Sequence, residues 1–108
     1  MEKVEIFFKK EVVEEFFNAL VLELFEKDYF SNLESAIEYK EKIIFFIKNS
    51  ISLFPAKKSP KKLQIFGSYY IFYKANQNTT WYILFERFDN KFLIKHITNN
   101  HSKDAKYF

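Results

Sequence analysis

The stretch that most constrains the fold is TTWYILFERFDNKFLIKHITNNH, residues 79–101. It reads as two bulky, β-branched runs joined by the pair Asp89-Asn90, a turn dipeptide that tolerates positive φ. A two-residue loop there sets Arg87 opposite Phe92, Phe85 opposite Ile94 and Ile83 opposite His96. One face of the hairpin then carries Trp81, Ile83, Phe85, Arg87, Phe92, Ile94, His96 and Thr98. The other carries Tyr82, Leu84, Glu86, Phe88, Leu93, Lys95 and Ile97. The first face has a wholly apolar centre and is expected against helices. The second is expected to be more open, with Glu86 and Lys95 close enough for a surface ion pair worth about 0.5 kcal/mol. The stretch also holds the sole Trp, the sole Arg and both His.

Before this hairpin, Val4–Phe8 reads as an edge or lead-in strand, or else as the first turn of the next helix. Residues 9–27 repeat Val12, Val13, Phe16, Phe17, Leu20, Leu24 and Phe25 at three- and four-residue steps, with glutamates on the other side, the pattern of an amphipathic helix. Asp28-Tyr29-Phe30 interrupts it, and Ser31 with Glu34 forms an S-x-x-E capping signal for a second helix. That helix places Leu33, Ile37, Ile44, Ile47 and Ile51 on one stripe, widened by Ala36, Ile43 and Phe54, and ends before Pro55. The segment AKKSPKK, residues 56–62, reads as a basic loop, Leu63–Phe66 as the start of the sheet, and Gly67, the only glycine, as a positive-φ turn into Tyr69–Lys74. Ala75–Thr79 is a polar turn. Helices followed by strands give an α+β class: an N-terminal helical hairpin on a twisted antiparallel sheet of about four strands, in a single domain spanning residues 1–108.

At 48% apolar and 21% aromatic residues, the chain is too hydrophobic and too patterned for disorder. The absence of Cys excludes disulfides, thiolate catalysis and Cys-based metal sites. The longest apolar run, Ile43–Ile47, is far short of the ~18–20 residues that span a bilayer, and the acidic start lacks a signal-peptide layout, so the expected location is the cytoplasm, with no membrane partner. Charge is divided unevenly. Residues 1–50 carry eleven acids and seven Lys, whereas residues 51–108 carry three acids, nine Lys and the Arg. A basic half suits a polyanionic partner, although the same charge also keeps a Phe-rich sheet soluble and its edges unpaired.

His96 and His101 have no third ligand at a metal-binding interval, and no phosphate-cradling glycine loop or nucleophile elbow is present, so neither metal nor cofactor is expected. Lys, Arg, His and Tyr remain, a set suited to RNA cleavage through the 2′-hydroxyl. A base takes that proton, cations stabilise the developing phosphorane, and an acid protonates the leaving 5′-oxygen. His101, just past the last strand, is a candidate acid or base, or else a strand cap. His96 is expected packed against the helices. Arg87 can clamp a phosphate or simply be solvated beside the turn. Tyr107 and Phe108 can stack on a base or pack on the sheet. Lys57, Lys58, Lys61 and Lys62 are candidate nucleic-acid contacts, or a solvated run.

The order helix, helix, KKSPKKL, G-x-YYIFYK, TTWYILFE, DNKFLIKHITNNH resembles the RelE/ParE superfamily of toxins from bacterial type II toxin–antitoxin systems, over nearly the whole chain. The resemblance implies two helices on a twisted antiparallel sheet, a cognate antitoxin, and one of two activities. RelE-like members cut mRNA in the ribosomal A site without metal; ParE-like members poison DNA gyrase. By position in the last strands, it carries catalytic roles to His101, Arg87 and Lys95, with Tyr107 next. Ribonuclease members gather several Arg where this chain has one, which keeps a gyrase poison or an inactive, protein-binding toxin open beside the mRNA endoribonuclease.

Overall fold

The computed structural model describes residues 4–11, 14–16, 18, 20, 33–53, 56–75, 77–101 and 103–108. Its class is α+β. The strands are β1 (Glu5–Phe8), β2 (Lys57–Lys58), β3 (Tyr69–Lys74), β4 (Thr80–Phe88) and β5 (Lys91–Asn99), in the spatial order β1-β5-β4-β3-β2. The sheet is mixed: β1 runs parallel to β5, and the remaining pairs are antiparallel. The expectation of about four antiparallel strands is therefore corrected to a mixed sheet of five among the described residues, because the lead-in strand returns to the far edge of the hairpin and Lys57-Lys58 pairs with Tyr69-Tyr70.

One long helix, α1 (Leu33–Ser50), is described, and residues 10, 11, 14–16, 18 and 20 are also helical. The rest of the expected first helix, the Asp28–Phe30 interruption, the Ser31 cap, Phe54, Pro55 and Asn76 lie outside the described residues. The buried stripe of α1 is Ala36, Ile43 and Ile47, continued by Ile51 after the helix. Ile37 is exposed and Ile44 half-buried, so the stripe is rotated from the expected one. Steps of three and four from Ala36 pass through Tyr39, Lys40, Ile43, Phe46 and Ile47, and Tyr39 and Phe46 both pack against the core. No helix among the described residues is long and apolar enough to cross a membrane.

The core lies between α1, the helical residues before it and one sheet face: Leu20, Ile43, Ile47 and Ile51 against Ile71, Trp81, Ile83, Phe85, Phe92, Ile94 and Ile97. Trp81 is its polar anchor. Phe16 meets its ring edge-on at 5.2 Å, and the indole Nε1–H donates to Tyr39 Oη at 2.9 Å. Tyr39→Phe removes that acceptor from a buried donor, a loss of about 1–3 kcal/mol measurable by urea unfolding. Burial lifts the Tyr39 hydroxyl above the ordinary phenol value of 10.0, outweighing the Trp81 hydrogen bond that lowers it. The unfolded chain thus ionises first, so this contribution is intact below pH 10 and is lost as pH rises through the folded value. In Tyr39→Phe that alkaline loss is expected to shrink.

The expected strand Leu63–Phe66 is instead part of a 3-10 helix, η1 (Lys61–Phe66). The basic segment before it is not simply a loop, since Lys57 and Lys58 form β2. Pro60 opens η1 by accepting from Leu63 N at 2.8 Å, and Gly67 closes it by donating to Gln64 O at 3.2 Å. A second 3-10 helix, η2 (Lys103–Tyr107), packs against β5 and η1.

Candidate functional site

The Asp89-Asn90 turn sets the register as expected: Asp89 adopts φ 54°, and Phe88, Arg87, Glu86 and Phe85 face Lys91, Phe92, Leu93 and Ile94. Beyond Phe85 the pairing shifts, because Leu84 faces His96 and Ile83 faces Ile97. Lys95 is the extra residue of a β-bulge. A bulge advances the side-chain alternation by one position, so everything after it changes face. Ile97, expected outward, is in the core, and His96, expected against the helices, lies on the opposite face.

Two consecutive side chains, Lys95 and His96, now reach the same element. Lys95 Nζ lies 3.5 Å from the Ile65 carbonyl oxygen, and the His96 ring stacks on Phe66 at 4.5 Å and 22°. Both contacts are to η1. Its end is fixed over the bulge by Gly67 at φ +150°, where an added Cβ would lie 2.6 Å from Phe85 N and 2.9 Å from the Leu84 carbonyl carbon. Glu86 does not pair with Lys95. Its Oε1 accepts from both Ser68 N and Ser68 Oγ at 2.8 Å, and the ion pairs among the described residues are Lys9–Glu11 and Lys10–Glu14. An ammonium, an imidazole and an anchored carboxylate therefore share the face away from α1, all half-buried.

This face is less open than expected, because η1 and the 103–108 segment cover part of it. Leu63 and Leu84 are buried apart from the main core. Alongside them runs an aromatic row. Phe108 stacks on Tyr82 at 3.9 Å and 9°, and Tyr70 meets both rings edge-on, at 4.9 Å from Phe108 and 6.1 Å from Tyr82. Towards the β2 edge, Lys57 Nζ sits 5.2 Å from the ring of Phe72, which is 49% exposed.

The residues expected to act together are dispersed. Lys95 is on the bulge, but Arg87 is at the hairpin tip on the helix-side face, its guanidinium 5.3 Å from the Phe92 ring and its Nε donating to Asp89 O. His101 is at the far end of β4 and β5, roughly 23 Å from Arg87 at ~3.3 Å per strand residue. Its Nε2 lies 3.2 Å from Thr79 Oγ1, and its backbone N donates to Asn99 Oδ1. The NNH end is a clamp on the β3–β4 connection: Asn100 Oδ1 accepts from Thr80 N at 3.0 Å, and its Nδ2 donates to Asn78 O at 2.9 Å. Asn100→Ala is expected to speed amide exchange at Thr80 about tenfold, with little change in global stability. Tyr107 is half-buried on η2 with the Lys106 ammonium 5.1 Å from its ring. Lys57, Lys58, Lys61 and Lys62 are all exposed, the first two on β2 and the others opening η1.

His96 is the residue the sequence reading assigned to packing and the fold turns toward the site. The signal was present: Phe92, Ile94 and Ile97 change step from two to three across the polar pair Lys95-His96. Among the described residues no three His, Cys, Asp or Glu side chains gather as a metal site. On the α1 side, an open groove of about 570 Å³ is lined by Glu38, Glu41, Lys42, Phe45, Phe46, Ser50 and Tyr73. It brings no imidazole near its carboxylates. Compared with protein-family models, characterised proteins and solved structures, the chain matches none.

Proposed function

We propose that the chain is the toxin of a type II toxin–antitoxin pair, of RelE/ParE type, and cleaves ribosome-bound mRNA without a metal ion. The observation that carries this reading is the bulge, which gathers Lys95 and His96 on one face beside Glu86 and the aromatic row. In this scheme His96 takes the 2′-hydroxyl proton as general base, and the Lys95 side chain stabilises the charge that develops on the phosphorus oxygens. Tyr107, on the segment packed against β5 and η1, supplies a proton to the leaving 5′-oxygen. The products are a 2′,3′-cyclic phosphate and a 5′-hydroxyl. Glu86, held by Ser68, keeps the imidazole side of the face polar. The lysines of β2 and η1 attract the RNA backbone.

A second reading, a ParE-like gyrase poison or an inactive partner-binding module, draws on the groove beside α1 and on exposed Phe45, which suit a protein partner. Controlled expression separates the readings. Growth arrest with cleavage of mRNA on purified ribosomes, unchanged in supercoiling assays, is expected. Arrest with intact mRNA and inhibited gyrase would establish the second reading instead, and no arrest would leave only the inactive module. Rescue by a co-expressed neighbouring antitoxin tests the pairing itself.

A further inference from the structure

We infer that Tyr82, buttressed by Tyr70, is a stacking subsite for one nucleobase, and that the Phe108 ring holds the place of that base. The inference rests on the ribonuclease reading above.

The geometry is that of a stacked base. Phe108 and Tyr82 lie nearly parallel, with centroids 3.9 Å apart at 9°, whereas Tyr70 meets Phe108 at 70° and Tyr82 at 64°. Edge-on contacts are common packing for aromatic side chains, and the flat face of Tyr82 is the surface on which any base can stack. Tyr82 pairs with Thr98, and the next residue on the same face, Leu84, pairs with His96. The platform and the imidazole are thus one alternation apart, roughly 7 Å along the strand. A base on Tyr82 thus has Lys95 and His96 within the reach of its own nucleotide.

Phe108 is delivered by η2, a single short 3-10 segment whose Lys103 and Lys106 are exposed, so its ring can leave without dismantling the main core. A ring that must leave before a base can enter lowers the apparent affinity by the fraction of time the platform is free.

The test is equilibrium binding of a fluorescently labelled 2′-O-methyl RNA hexamer, which presents bases but lacks the hydroxyl that cleavage requires. Phe108→Ala and Phe108→Leu are expected to bind about twofold to tenfold more tightly than the parent chain. Tyr82→Ile is expected to bind roughly fivefold or more weakly, and Tyr82→Phe to bind as the parent does. Thermal melts confirm that each variant is folded, and Phe108→Leu, which retains apolar bulk, decides the matter if the alanine variant melts early. Folded Phe108 variants that bind no more tightly, or a Tyr82→Ile chain with parental affinity, overturn the subsite and leave the ribonuclease reading standing. If the parent and every variant fail to bind the hexamer, the subsite is overturned, whereas the ribonuclease reading is overturned by intact mRNA on purified ribosomes.

Discussion

Gly67→Ala lowers the melting temperature by about 10–20 °C, a loss of roughly 3 kcal/mol. Two costs combine. The residue sits at φ +150°, a conformation that side-chain-bearing residues rarely adopt, and strain of that kind costs about 1–3 kcal/mol. The new Cβ also meets backbone, with Phe85 N at 2.6 Å and the Leu84 carbonyl carbon at 2.9 Å, so no rotamer change relieves it. Either η1 lifts or β4 moves at the bulge. Because Ile65 and Phe66 meet Lys95 and His96 from η1, the variant should also lose activity at temperatures where it remains folded. A melting temperature within about 3 °C of the parent would show that η1 is not seated on the bulge.

His96→Ala is expected to reduce ribosome-dependent mRNA cleavage about 10²- to 10⁴-fold, the range for removing a general base. Lys95→Ala should lower the rate by a comparable order, and Lys95→Arg should restore part of it because the charge remains. Arg87→Ala and His101→Ala are the informative controls. The structure puts the former beside Phe92 at the hairpin tip and the latter against Thr79, so both should keep activity within about threefold. Equal losses at Arg87 or His101 would show that the reacting phosphate lies elsewhere on the sheet. Circular dichroism of His96→Ala distinguishes chemistry from unstacking of Phe66, since that stack also helps hold η1.

The hairpin was legible because Asp89-Asn90 is a local turn signal, and Asp89 adopts the positive φ that such a turn requires. The register failed after four pairs because strict alternation was extended through Lys95-His96, where the apolar spacing had already changed. That one residue moved His96 from the helix side of the sheet to the opposite face, where it is half-buried against Phe66. Leu63–Phe66 was misread for a related reason. Four residues are too few to tell a strand from one turn of helix, and here Pro60 and Gly67 bracket the turn from outside it. In α1, Ile37 and Ile44 matched a helical period as well as Ile43 did, and only the position of the sheet decides which stripe is covered. The NNH end was read as a candidate acid or base from its place just past the last strand and from resemblance, with a strand cap as the other reading. Its amides prove to be occupied with backbone, a use that depends on strands brought together by the fold.

The pairing of Glu5–Phe8 with Lys91–Ile94 has a consequence for how the protein is made. On a translating ribosome the first strand emerges long before its neighbour exists. The antiparallel part, β3 through β5, closes through short connections and can assemble locally, whereas β1 must wait until Lys91–Ile94 is made and then close a very long loop. Until it does, the outer edge of β5 is bare, offering backbone donors and acceptors to any extended segment nearby. The nascent chain thus passes through an interval in which a second polypeptide can compete with β1 for that edge.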